Sequence, residues 1–144
     1  MACSAAATQA AARNKQGDDA LTRILVADDL KDITETMGLL FETLGHDTRV
    51  AGDGQEAVDT ASAFEPEIVF LDLDMPVLNG YEAARAIRGA ALPRQPFLVA
   101  LTASHGTAVE VATRVCGFDL YLRKPADTNA LLALVDDLAS RTRP

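Results

Sequence analysis

Two kinds of apolar pattern take turns along this chain. Unbroken runs of strand length, Ile24 to Val26, Ile68 to Leu71 and Phe97 to Leu101, read as strands covered on both faces. Thr48 to Ala51 and Asp119 to Arg123 read as two weaker strands. Between them lie stretches of helical spacing. From Leu30 to Leu44, apolar residues at Leu30, Ile33, Met37, Leu40, Phe41 and Leu44 form one stripe, which Gly45 ends. Leu39 falls off that stripe and is expected at the surface. Further helices are expected over Glu56 to Phe64, closed by Pro66, over Tyr81 to Arg88 with Asn79 as cap, and over Thr107 to Cys116. A last helix is expected over Thr128 to Ser140, with Leu131, Leu134, Val135 and Leu138 inward. Gly52, Asp53 and Gly54 read as a turn built from residues that tolerate positive φ. Five strand and helix pairs in strict alternation predict a single doubly wound parallel sheet with helices on both faces.

That alternation starts at Arg23. Residues 1–22 have few large apolar side chains and no basic start before an apolar core, so a flexible leader or linker is expected there and an ordered domain over 23–144. Cys3 and Cys116 make no disulfide framework, and Cys116 is expected as a small buried hydrophobe. No apolar run reaches membrane-spanning length, and with free thiols the expectation is a cytoplasmic protein with no membrane partner.

The net charge of −8 is concentrated in one region. Arg23 to Asp74 holds three basic and thirteen acidic residues, a balance of −10, whereas Met75 to Pro144 carries eight basic and six acidic, a balance of +2. An acidic first half argues against nucleic acid as a direct partner and suits a cation.

The strand ends carry the chemistry. Strand one runs into Asp28 and Asp29, the central strand into Asp72, strand four into Thr102 and strand five into Lys124. Ligands of open α/β sheets sit beyond these carboxyl ends. Three carboxylates meeting there repel one another, which raises at least one pKa unless a cation joins them, and Mg²⁺, a hard ion that favours sites shared with phosphate, is the natural guest. An aspartate can act as a nucleophile toward phosphorus, with Lys124 neutralising the transferred group and Thr102 offering it a hydroxyl. The structural readings stand beside this one: Asp28 and Asp29 as helix caps, Thr102 as a loop hydroxyl, Lys124 as a surface charge. His46 and His105 sit in no metal spacing and are expected to face solvent.

The acidic pair Asp28-Asp29, the segment Leu71-Asp72-Leu73-Asp74-Met75-Pro76-Val77-Leu78-Asn79-Gly80, Leu101-Thr102-Ala103 and Lys124-Pro125 occur in order and in strand context. In these features the chain from Arg23 onward resembles the receiver domains of bacterial two-component response regulators. The resemblance implies a flavodoxin-like (βα)5 fold with strand order 2-1-3-4-5. It implies that Asp72 accepts a phosphoryl group from a phosphohistidine on a histidine kinase or histidine phosphotransfer protein. Asp29 and Asp72 would bind Mg²⁺ directly, with the backbone carbonyl of Asp74 as a third ligand and Asp28 acting through water. Lys124 would pair with the phosphoryl group, Thr102 and Tyr121 would form the switch pair, and Lys124-Pro125 would be cis. Leu39 lies on a surface that meets the histidine-bearing partner in such domains, and Asp74 and Ser104 occupy positions linked to phosphoryl lifetime. With no recognisable output segment after the last helix, the signal is expected to leave by surface contact with a protein target.

Two other functions are open. Asp72-Leu73-Asp74 also resembles the DxD signature of haloacid dehalogenase-type phosphatases, although there the motif follows the first strand and a cap domain is expected. An interaction module that works without phosphorylation is the second. On the first reading the protein is a self-phosphorylating and self-dephosphorylating switch, not a turnover enzyme.

Overall fold

A computed structural model describes residues 22–104 and 106–142, with side chains as far as residue 140. The expected leader, Cys3 and His105 lie outside the described residues, apart from Thr22, which is buried and whose carbonyl accepts from Asp47 N–H at 3.1 Å. The strands are β1 (Arg23–Ala27), β2 (Asp47–Ala51), β3 (Ile68–Asp72), β4 (Phe97–Thr102) and β5 (Leu120–Arg123). The helices are α1 (Lys31–Thr43), α2 (Gly54–Phe64), α3 (Gly80–Gly89), α4 (Thr107–Val115) and α5 (Thr128–Thr142). All strand pairings are parallel, in the order β2-β1-β3-β4-β5. The expected fold class, a five-stranded doubly wound sheet in the order 2-1-3-4-5, is the one observed.

Period-two alternation along the strands sorts the core into two layers. Leu25, Ala27, Val69, Leu71, Leu98 and Ala100 face α2 and α3, which meet them with Ala57, Ala61, Ala83, Ala84 and Ile87. So many alanines let helix and sheet backbones approach closely on this face. Ile24, Val26, Ile68, Phe70, Val99 and Leu101 face α1 and α5, where Phe41 stacks on Phe70 at 5.4 Å between ring centroids. Leu131, Val135 and Leu138 are buried there as expected, and Leu134 is partly buried.

Several local expectations need correction. Leu30 and Leu44, placed on the inward stripe of the first helix, are exposed, because they cap its two ends and lie beyond the sheet's reach. Leu39 is exposed, as expected. His46 is half-buried rather than solvent-facing, because the chain turns straight from α1 into β2 there and its N–H bonds Phe41 O at 3.1 Å. Gly52, Asp53 and Gly54 do not adopt positive φ. Asp53 is instead the extended N-cap of α2, accepting Glu56 N–H at 2.7 Å. Helix α2 therefore starts two residues before the expected Glu56. Left-handed conformations occur at Gly45, Gly106 and Gly117, and among non-glycine residues at Glu65 and Val77. Asn79 caps α3 through a full capping box with Glu82.

Candidate functional site

The order in which strands are added reverses at the centre of the sheet, since β1 lies between β2 and β3 and the connections run outward on either side. The ends of β1 and β3 thus border the crevice where α/β sheets bind ligands. Asp28 and Asp72 stand on its floor, 1% and 4% exposed, and Asp29 is exposed at its lip. One oxygen from each of the three lies within 4.8 Å of the other two.

Lys124 reaches in from the loop after β5, its Nζ donating to Asp28 Oδ2 at 2.7 Å and Asp72 Oδ1 at 2.9 Å. The loop is held in place by Lys124 N–H bonding Thr102 O at 2.8 Å, and the Lys124-Pro125 bond is cis, as expected. Asp28 serves twice, because its Oδ1 also accepts Leu30 N–H at 3.0 Å where α1 begins. This is an Asx-type turn leading into α1 rather than the helix cap expected of Asp28, since the N-cap is Leu30 and has no side-chain cap bond.

Burial pushes the Asp72 carboxyl above its ordinary 3.8; the Lys124 hydrogen bond opposes this and the Asp28 charge adds to it. Desolvation, more than the expected mutual repulsion, drives the rise. Burial alone would lower the Lys124 amine, but its hydrogen bonds to Asp28 and Asp72 outweigh that, and its pKa is raised. Three carboxylates against one ammonium leave a formal −2 in the crevice, and all the acidic donors are oxygens. A hard divalent cation fits such a donor set in charge and in ligand type.

The remaining expected residues are less closely gathered. The Asp74 side chain is exposed, while its backbone amide is among the groups that lower the Asp72 pKa. Thr102 is buried at the end of β4, but its hydroxyl is engaged with Ser104, accepting from its N–H at 2.9 Å and donating to its carbonyl at 3.1 Å. Tyr121 is half-buried on β5, paired with Ala100 and packed on the α2/α3 side of the sheet. Sequence reasoning had not paired Ser104 with the Thr102 hydroxyl; a serine two residues beyond a threonine was the available signal. Two glycines were also missed, both marked by where a side chain will not fit. A Cβ on Gly80 would collide with the Asp72 carbonyl, and one on Gly54 with the carbonyl of Leu78.

The family description of the response regulator receiver domain matches residues 24–136. The chain belongs to that family. Receiver domains act in two-component signalling as switch modules and usually have an acidic pocket, and this chain has a cluster of three aspartates. Response regulator MprA of Mycobacterium tuberculosis is 38% identical over 122 residues, which cover 85% of this chain and 52% of that protein. The receiver chain described here thus spans about half the length of the curated relatives it matches. The receiver domain of the Francisella response regulator 1452 superposes with a TM-score of 0.76 at 31% identity, covering 84% of this chain and 98% of that one. Chemotaxis protein CheY4 of Vibrio cholerae superposes with a TM-score of 0.77 at 24% identity over 83% of this chain and 99% of that one, a likeness of fold. No helix among the described residues is long and apolar enough to cross a membrane.

Proposed function

We propose that this receiver takes a phosphoryl group from a phosphohistidine on a histidine kinase or histidine phosphotransfer protein onto Asp72. The observation that carries the reading is the convergence of Asp28, Asp29, Asp72 and Lys124 on one crevice from the ends of three strands. In the transfer, an Asp72 carboxylate oxygen forms a bond to phosphorus as the bond from phosphorus to the imidazole nitrogen breaks. The bonding pair leaves with the imidazole. Mg²⁺, held by Asp29, Asp72 and the backbone carbonyl of Asp74 with Asp28 acting through water, would neutralise charge on the phosphoryl oxygens.

Lys124 has a second task in this scheme. Its ammonium now bridges Asp28 and Asp72, and it is within reach to pair with a phosphoryl oxygen once Asp72 carries the acyl phosphate. Thr102 must exchange its Ser104 bonds for the phosphoryl oxygen, and Tyr121 on the adjacent strand follows it inward, so the new charge is read out as a change in the β4, α4 and β5 surface. The partner's docking face is best sought beside the crevice, where Ile33, Met37, Leu40 and Pro125 line a groove between α1 and α5 next to exposed Leu39.

Acetyl phosphate with Mg²⁺ is expected to add one phosphoryl group to the chain, removed by Asp72→Asn and dependent on the metal. A label that persists in Asp72→Asn, or none in the wild type, sinks the assignment. Repeated turnover of small phosphate esters would instead point to the phosphatase reading. Equal affinity for a target with and without the label would point to a phosphorylation-independent module.

A further inference from the structure

We propose that Gly54, on α2 and outside the acidic crevice, is a positioning residue for the cation and phosphoryl site: its missing side chain sets where the loop between β3 and α3 lies. The inference rests on the function proposed above and assigns part of that site's geometry to a helix that supplies it no ligand.

The loop from Leu73 to Asn79 follows Asp72 directly at the end of β3 and carries Asp74. It is pinned at two points. At its base, Gly80 N–H bonds Leu73 O at 3.0 Å, and a Gly80 Cβ would lie 2.7 Å from Leu73 Cα. At its tip, Gly54 N–H reaches Pro76 O at 3.4 Å, and a Gly54 Cβ would collide with Leu78 O and lie 2.6 Å from both Leu78 C and Leu78 Cβ. The obstacle includes backbone, so no rotamer change on Leu78 makes room.

Gly54 is not among the glycines at positive φ, so its backbone does not demand glycine. Space does. Between the two contacts stands Val77, a β-branched residue at φ 69, a conformation that persists only where its surroundings over-determine it. The α2 end is itself firm: Asp53 accepts Glu56 N–H at 2.7 Å, and Glu56 Oε1 accepts Gly52 N–H at 2.7 Å. The tip of the loop therefore rests on a capped helix end, and any atom added at Gly54 moves the segment bearing Asp74 relative to Asp72.

The test compares Gly54→Ala with Gly89→Ala, whose added Cβ meets nothing within 4 Å. For the full chain, Mg²⁺ affinity is measured by titration calorimetry, acetyl phosphate labelling by rate, and the metal-free loop by the amide resonances of residues 73–79. Gly54→Ala is expected to weaken Mg²⁺ binding about tenfold or more, slow labelling and shift those resonances. Gly89→Ala should match wild type in all three. A folded Gly54→Ala protein with wild-type Mg²⁺ affinity overturns the proposal.

If Gly54→Ala does not fold, Asp53→Ala and Asp53→Asn decide, since both lose the charge and only asparagine keeps the cap. Weaker Mg²⁺ binding in the alanine variant than in the asparagine variant supports the proposal, and equal binding overturns it. Wild-type protein that neither binds Mg²⁺ nor becomes labelled would sink the functional reading itself. Normal wild-type behaviour with an indifferent Gly54 sinks only this inference.

Discussion

Asp72 must be ionised to attack phosphorus, yet it is buried beside Asp28, and its pKa is raised in the folded protein. Between the ordinary carboxylate value of 3.8 and that raised value, the native state holds a proton that the unfolded state has released. Stability linked to Asp72 therefore falls as pH rises through this window. In metal-free protein, Asp72→Asn should remove that fall and be the more stable form at neutral pH, because the folded state disfavours the ionised Asp72 carboxyl. Denaturant unfolding at a series of pH values checks it, and an asparagine variant less stable than wild type at neutral pH refutes it. Lys124 works in the same sense but in a higher pH window. Its raised pKa means that its stabilising charge is present below the ordinary 10.5 and is lost as pH climbs through the raised value. Asp72 and Asp28 were legible as candidates because each ends an apolar run, and Lys124 because it follows the last strand. That Asp72, with Lys124 bonded to it, would still be raised was not, since the result depends on how deeply the fold buries each group.

The elements show where propensity was enough and where packing overrode it. The α3 cap was readable from Asn79, and glycine at Gly45 and Gly117 ends its helix as the pattern implied. The part Arg88 plays at the end of α3 was not readable. Arg88 donates to Gly117 O at 2.9 Å, Pro96 O at 2.8 Å, Gln95 Oε1 at 3.0 Å and Asp119 Oδ2 at 2.8 Å. Asp119 Oδ2 in turn accepts Leu98 N–H at 2.9 Å, so one arginine ties α3 to the end of α4 and the starts of β4 and β5. Nothing in the spacing of Arg88 distinguishes it from Arg85 or Arg94, because its acceptors, two backbone carbonyls and two side-chain oxygens, are delivered by other segments. Arg88→Met should cost about 2–3 kcal/mol, the toll of leaving part-buried carbonyls unpaired and losing charge-assisted bonds. Arg94→Met, at an exposed 3.8 Å contact with Glu67, should change stability by less than about 0.5 kcal/mol. Urea midpoints with unchanged slope measure both, and equal losses would disprove the clamp.

At the scale of the whole molecule, the crevice exists only while the chain is folded, because Lys124 meets Asp28 across 96 positions of sequence and Asp72 across 52. A cation bound there favours the folded state over the unfolded one. Mg²⁺ at about one hundred times its dissociation constant should stabilise the protein by about 2.7 kcal/mol, and potassium at matched ionic strength should not. Thermal melts measure this; an equal gain in a variant with both Asp29→Asn and Asp72→Asn would place the cation elsewhere. What the amino-acid sequence determined by itself was the order of elements, the layers they form and which strand ends carry acids, because apolar periodicity is a local property that each segment expresses alone. Only the tertiary structure decided that the three acids share one crevice, that the Thr102 hydroxyl is held by Ser104, and that Gly54 lies against the Asp72 loop. These depend on distances between segments far apart in the chain, set by the sheet's strand order and by how closely alanine-rich helices pack on it.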